Sequence, residues 1–322
     1  MRPVDGPIAV SVVVASHGRE LRLRWLLNAL EEQTLAEPWE LVVVHDYDAA
    51  TACRVIERHP LSPRIRTISI EPGSGSPARQ RNLGWRAARA ELVAFVDDDC
   101  RADPRWLEEL LADARARPGQ VVQGRTRPDP LEEAILSAPH VRTLSIEPVN
   151  RFRETCNILY PRTLLERLGG FDERAITGED VDLSLRAVAA GAEISAAPEA
   201  LVYHAIESHT LPGIVRRNLK WRHLAYLVGN HPELRSSFPL GVFWDADHLR
   251  VSAALVGLVA ARRNPLLLAL AAPYVRTASR RRGGGRRARA LALAELPGQA
   301  VRQVAEVLGM AAGGVQHRTP LL

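Results

Sequence analysis

The sequence predicts an α/β protein: a mostly parallel sheet flanked by helices, followed by a helical C-terminal extension. Three observations carry this expectation. Continuous β-branched runs, residues 9–15 (AVSVVVA) and 41–44 (LVVV), read as strands buried on both faces. Segments with apolar residues at helical spacing alternate with such runs, which implies βαβ units with right-handed crossovers. Toward the C-terminus the pattern becomes helical and arginine-rich, so an α/β domain is expected over 1–235 and a basic helical region over 236–322.

In chain order, the first strand is broken by Ser16-His17-Gly18, and residues 20–32 carry Leu21, Trp25, Leu26 and Leu30 on a helix. The second strand ends on His45-Asp46-Tyr47-Asp48, and a helix near 51–58 leads to a third strand at 65–70. The segment 72–77 (PGSGSP) is a loop before a helix at 78–89. Residues 92–96 (LVAFV) are a fourth strand ending on Asp97-Asp98-Asp99. Asp103-Pro104 then has the form of an N-cap with proline at the first helical position. Further strands are expected at 120–124 and 155–160, helices at 162–168 and 181–190, and extended segments at 194–196 and 200–204. Helices at 212–229, 265–277 and 291–308 complete the reading.

The 322 residues include 46% hydrophobic and 25% charged residues, an ordinary globular balance that excludes disorder as the default. The net charge of +5 conceals a segregation: residues 250–322 hold 12 Arg and two acids, a net of +10, which leaves −5 for the rest. Cys53, Cys100 and Cys156 are odd in number and unpaired by spacing, so neither a disulfide framework nor a thiolate zinc site is expected. With no export signal in the first residues, a cytoplasmic location follows, with room for peripheral attachment to the cytoplasmic face of a membrane.

In open α/β sheets ligands bind beyond the carboxyl ends of the strands. Topology thus gathers Ser16, Asp46, Asp48 and Asp97–Asp99 on one rim. Three adjacent carboxylates repel one another unless a cation sits among them, and hard oxygen ligands indicate Mg²⁺ or Mn²⁺. A solvated acidic turn is the bland alternative. Gly178-Glu179-Asp180 opens a helix, where acids serve the dipole, but capping needs only one of them. A second acid on a metal-site rim is where a general base would deprotonate an attacking hydroxyl. The 72–77 loop has neither P-loop nor dinucleotide spacing, yet it delivers Arg79, Arg81 and Asn82 to a helix start where a phosphate could be met. His204, at a strand end, could complement carboxylates on a Mn²⁺-type ion, or be a satisfied core histidine.

Together these residues resemble family 2 glycosyltransferases of the GT-A (Rossmann-like) fold over roughly residues 8–205. The resemblance rests on the order of Ser16, Asp46, Arg81-Asn82-x-Gly84, Phe95-Val96-Asp97-Asp98-Asp99, Gly169-Gly170-Phe171-Asp172-Glu173, and Gly178-Glu179-Asp180-x-Asp182-Leu183 with Arg186. It implies an inverting transferase that uses a nucleotide diphosphate sugar and a divalent ion. Asp46 matches the acid that contacts the nucleoside, and Ser16, Arg81, Asn82 and Asp98 fall on the nucleotide-sugar side. In the Asp97–Asp99 element, Asp97 faces the nucleotide sugar and Asp99 binds the metal, and His204 resembles a further metal ligand. Asp180 matches the catalytic base, with Glu179 as the alternative. The acceptor would be a hydroxyl of a glycan or lipid-linked glycan. The sequence departs from the family where Ala15-Ser16-His17-Gly18 replaces a common Pro-Thr-Tyr-Asn, and where His45-Asp46-Tyr47 replaces Asp-Asp-Gly-Ser.

Two other functions compete. A sugar nucleotidyltransferase would also place carboxylates and a metal at strand ends, and a catalytically degenerate relative would bind the nucleotide sugar without turnover. Nucleic-acid binding is not expected: no aromatic residues interleave with the basic tail, and the acidic remainder would be repelled by phosphate. The apolar stretches 251–261 and 265–275 are each too short to span a bilayer of about 20 helical residues. With the arginines of 276–289 they read either as a helix pair lying on an anionic membrane surface through 251–289, or as a subdomain packed on the core or on a second copy.

Overall fold

Val10–Ser16 (β1) and Trp39–His45 (β2) run parallel and side by side, buried almost throughout. Their alternation explains the unbroken apolar sequence: Val10, Val12, Val14, Leu41 and Val43 pack into one core, and Val13, Val42 and Val44 into another on the opposite face. The computed structural model describes residues 7–280 and 285–322. Arg281 and Arg282, part of the expected basic run, lie outside the described residues. The chain divides into two compact units, one built from the residues up to Ser137 with Arg142–Glu207, the other from Ala138–Val141 with Ser208–Leu322.

In the first unit the sheet continues with Ile65–Ser69 (β3), Leu92–Val96 (β4), Cys100–Ala102 (β5), Val121–Pro128 (β6), Asn157–Pro161 (β7) and Ile194–His204 (β8). The strand order is β3-β2-β1-β4-β7-β6-β8-β5. The pairs β1–β2, β2–β3, β1–β4 and β6–β8 are parallel, while β7 runs antiparallel to β4 and β6, and β5 antiparallel to β8. The sheet is thus mixed and mostly parallel, as expected.

Helix Glu20–Glu31 (α1) buries Leu23, Leu26, Leu27 and Leu30 at the i, i+3, i+4, i+7 positions, each worth about 1.5–3 kcal/mol. Helix Pro77–Ala87 (α2) starts where its sequence says it should: the Ser76 hydroxyl accepts from the Arg79 amide, and Pro77 occupies the first turn. Gly84 lets α2 lie on β1, since a Cβ there would stand 2.4 Å from Val13 Cγ1.

Several boundaries differ from expectation. Asp103-Pro104 does not cap the next helix. Asp103 accepts from the Arg105 and Trp106 amides in a turn, and the helix runs Trp106–Ala116 (α3). The three-residue β5, too short to show a period, sits between the acidic triplet and that turn. The two extended segments near residue 200 are one strand, β8, whose register against β6 shifts at Gly124/Arg125. Helices Arg162–Leu168 (α4) and Glu179–Ala189 (α5) follow the expected places.

The second unit is helical: Leu211–Asn218 (α6), Leu224–Asn230 (α7), Ala246–Ala260 (α8), Ala272–Ala278 (α9) and Arg286–Gln316 (α10). In it α6 and α7 pack on α10. Within it Val251, Ala254 and Tyr274 form a small core with Leu296, Ala300, Val304 and Val307. Among the described residues no helix is long and apolar enough to cross a membrane.

Candidate active site

β1, β2 and β4 end at one rim, and their terminal polar residues meet there. The Ser16 hydroxyl donates to Asp98 Oδ2 at 2.7 Å, so the Tyr47 hydroxyl, 2.7 Å away, donates to Ser16 in turn. Arg19 Nη1 bridges Asp98 Oδ1, at 3.1 Å, and Asp99 Oδ2. Burial pushes the Asp98 carboxyl up to about 7 against the pull of Arg19. Asp98 is therefore turned into the protein, tying the acidic turn to the end of β1.

Asp97 points elsewhere. Its Oδ1 accepts from Arg81 Nη2 at 2.8 Å, while Arg81 Nη1 donates to Glu179 Oε1 at 2.6 Å. One buried guanidinium thus connects the end of β4 to the first turn of α5. Gly178 starts α5 with a φ of 81°, a left-handed conformation suited to glycine. Glu179 is buried and committed to Arg81. Its neighbour Asp180 is half-buried, takes the Val181 amide at 2.9 Å, and enters no ion pair among the described residues. Burial, then the charge of Asp180, raises the Glu179 carboxyl. Asp180 is raised too, chiefly by burial, so the two titrate as a pair.

Asp99 lies against His204 because β5 pairs antiparallel with β8, placing Cys100 opposite His204 and letting the Ala205 amide donate to the Asp99 carbonyl. His204 Nδ1 is 2.8 Å from the Ala205 carbonyl oxygen, which can only accept, so Nδ1 donates there and Nε2 is the nitrogen turned toward Asp99. Nε2 stands 3.7 Å from Asp99 Oδ1, a buried oxygen without a hydrogen-bond partner. An orphaned carboxylate oxygen and an imidazole nitrogen facing each other in a buried place form a donor set that fits a cation. Among the described residues no three His, Cys, Asp or Glu side chains form a cage. Mg²⁺ and Mn²⁺ bound with substrate phosphates need only one or two protein ligands.

Asp46 Oδ2 takes the Gly73 amide at 3.1 Å and lies 2.6 Å from His17 Nδ1. Burial opposes its ionisation, but these two partners outweigh it and hold the carboxyl below its ordinary range. Gly73 belongs to the 72–77 loop, so that loop closes over the end of β2. Asn82, expected at the nucleotide sugar, has all of its hydrogen-bonding capacity occupied. Its amide donates to the Phe171 carbonyl and Glu173 Oε1, and its oxygen accepts from Trp85 Nε1 and the Phe171 amide, all at 2.9 Å. Through these bonds Asn82 anchors the Gly169-Gly170-Phe171 turn. Gly170 is required there, because a Cβ would sit 2.4 Å from Asn82 Oδ1.

Sequence reasoning missed Arg19 and Tyr47. Arg19 is one of 41 arginines and lies in a loop, so only its position just after a strand-end break could have drawn notice. Tyr47 follows Asp46 directly, and its stacking on His45, with ring centroids 5.4 Å apart, has no sequence signature.

A mixed, mostly parallel sheet with helices on both faces and an acidic turn at the rim defines the class as GT-A. Solved structures agree on the fold. The mannosyltransferase from Pyrobaculum calidifontis, solved with GDP-Man and Mn²⁺, superposes with a TM-score of 0.55 at 20% identity over 98% of this chain and 90% of that one. The 1–349 fragment of S. aureus TarS, solved with UDP, gives 0.52 at 17% identity over 96% and 92%. Residues 11–168 match the model of glycosyl transferase family 2, and the chain belongs to that family. It is 32% identical over 255 residues to a pre-mycofactocin glycosyltransferase of Mycobacterium tuberculosis, covering 72% of this chain and 50% of the relative. It is 29% identical to the O-antigen biosynthesis protein RfbC of Myxococcus xanthus, covering 82% and 22%. The chain spans half or less of the length of these curated relatives.

Proposed function

We propose that this protein is an inverting glycosyltransferase. It would move a hexosyl or deoxyhexosyl group from a nucleotide diphosphate sugar to a hydroxyl of a glycan or lipid-linked glycan, in cell-envelope polysaccharide assembly. The observation that carries the reading is the Arg81 bridge, which puts Asp97 of the acidic turn and the Glu179–Asp180 pair on one site. The relatives named for O-antigen and succinoglycan biosynthesis support the polysaccharide setting.

Asp99 and His204, with Asp97 on the sugar side, would hold Mn²⁺ or Mg²⁺; when bound, the ion supplies Lewis-acid neutralisation of charge on the departing diphosphate. Asp46 and Ser16 border the place of the nucleoside. Asp98 and Arg19 keep the acidic turn in position. Asp180 takes the proton of the acceptor hydroxyl while its oxygen bonds to the anomeric carbon and the bond from that carbon to the diphosphate oxygen breaks, so one displacement inverts the centre. Asp180 suits this better than Glu179, whose carboxylate is neutralised by Arg81 and hidden from an acceptor.

A panel of nucleotide sugars with Mn²⁺, read by thermal shift and by release of the nucleoside diphosphate, tests the reading. Stabilisation and release with a nucleotide diphosphate sugar are expected. Stabilisation only by a nucleoside triphosphate with a sugar phosphate would instead indicate a nucleotidyltransferase, and binding without release a degenerate relative.

A further inference from the structure

Helix α8 and the turn-rich segment Pro265–Ala271 form a hairpin whose inner face is closed. Val251, Ala254 and Gly257 are buried, and a Cβ at Gly257 would lie 2.6 Å from the Leu267 carbonyl oxygen. The outer face is apolar and open: Val256 is 61% exposed, Val259 70% and Leu266 80%, with Leu255, Leu258 and Leu268 beside them. Single exposed apolar residues are ordinary, but a cluster on one hairpin marks a surface that something covers.

The charge around it says what. Arg262 and Arg263 are exposed where the hairpin turns, and Arg276 is exposed on α9. From residue 248 to residue 294 the sequence has ten arginines and neither Asp nor Glu. A second copy docked face to face would set these cations against their own kind. An anionic bilayer satisfies both features at once, taking apolar side chains among its acyl chains and arginines among its headgroups.

We propose that this hairpin lies in the interfacial layer of an anionic phospholipid membrane, with Val256, Val259 and Leu266 inserted and Arg262 and Arg263 at the phosphates. The attachment is one-sided, since no described helix can span. It stands independently of the transferase reading, because it concerns the second unit alone.

The test is flotation of the full chain with vesicles of phosphatidylcholine, alone or with phosphatidylglycerol, with donor hydrolysis measured in parallel. Binding to the anionic vesicles is expected, weakening as salt rises. The Arg262→Gln/Arg263→Gln variant should bind about thirtyfold more weakly. Val256→Ser/Val259→Ser/Leu266→Ser should lose binding while keeping its melting temperature. If that triple variant unfolds, the arginine variant decides alone. Failure to float with anionic vesicles, equal binding to neutral ones, or unchanged binding by the arginine variant would overturn the proposal. So would concentration-dependent self-association that the serine variant abolishes without any vesicle binding, since that would assign the face to a second copy.

Discussion

Arg81 Nη1 donates to Glu179 Oε1 at 2.6 Å, joining helices α2 and α5 across 98 positions of sequence. With its other nitrogen on Asp97, the same guanidinium neutralises two carboxylates in a place with little water. Removing it leaves both without a partner. Arg81→Met should destabilise the fold by roughly 3–5 kcal/mol in denaturant unfolding, and Arg81→Met/Glu179→Gln should recover part of that loss. Additive costs in the double variant would mean that the pair is not coupled.

With Asp180 as base, the Glu179–Asp180 pair should set an acid limb for turnover. Both carboxyls are raised, by burial first and then by Asp180 on Glu179, with Arg81 opposing in both cases and Asp97 adding to the rise at Asp180. A base must be ionised, so kcat should fall as the pH drops through a range above that of an ordinary carboxylate. Glu179→Gln removes a neighbouring negative charge, favours ionised Asp180 and should move the limb to lower pH. The sign for stability is the reverse of the usual acid case: the folded pair binds protons more tightly than the unfolded chain, so its contribution is largest at low pH and is lost as pH rises through the raised range. A limb that stays in place in Glu179→Gln would refute the coupling.

Asp99 and His204 should act together on metal-dependent binding. In calorimetry, Asp99→Ala is expected to remove the part of nucleoside diphosphate affinity that depends on Mn²⁺. His204→Ala should weaken it, while affinity in a chelator stays as in the parent. Parent-like Mn²⁺ dependence in Asp99→Ala would contradict the assignment of that orphaned oxygen to a cation.

Asn82→Ala strands the Trp85 indole N–H and the Phe171 amide, both buried donors. At about 1–3 kcal/mol for each unsatisfied group, a loss of several kcal/mol in stability is expected, measurable by chemical denaturation. If Asn82 instead held the donor directly, stability would be nearly unchanged and donor KM would rise.

These residues also show what a sequence conveys about such a site. Ser16, Asp46 and Asp97–Asp99 were legible because β-branched runs announce their strands, and parallel strands deliver their ends to one rim. The neighbourhood of Asp99 and His204 was harder to read, because it depends on β5, three residues without a period, pairing with β8. Asn82 carried the family's motif, but its long-range bonds to Phe171 and Glu173 are encoded by no local pattern. Arg19 was hidden by abundance, one guanidinium among many. The packing of α6 on α10 was not legible either, because it joins segments far apart in sequence with no change in composition at residue 208.

Asp180 as the base of a single displacement is open to a direct test. The most direct measurement is turnover and donor binding of Asp180→Asn, with the stereochemistry of the parent's product read by NMR. An inverted anomeric centre is expected in the parent, with donor affinity within a few-fold of the parent in the variant and kcat lower by about 10²–10⁴-fold. Retained stereochemistry, or unchanged turnover in Asp180→Asn, would contradict it.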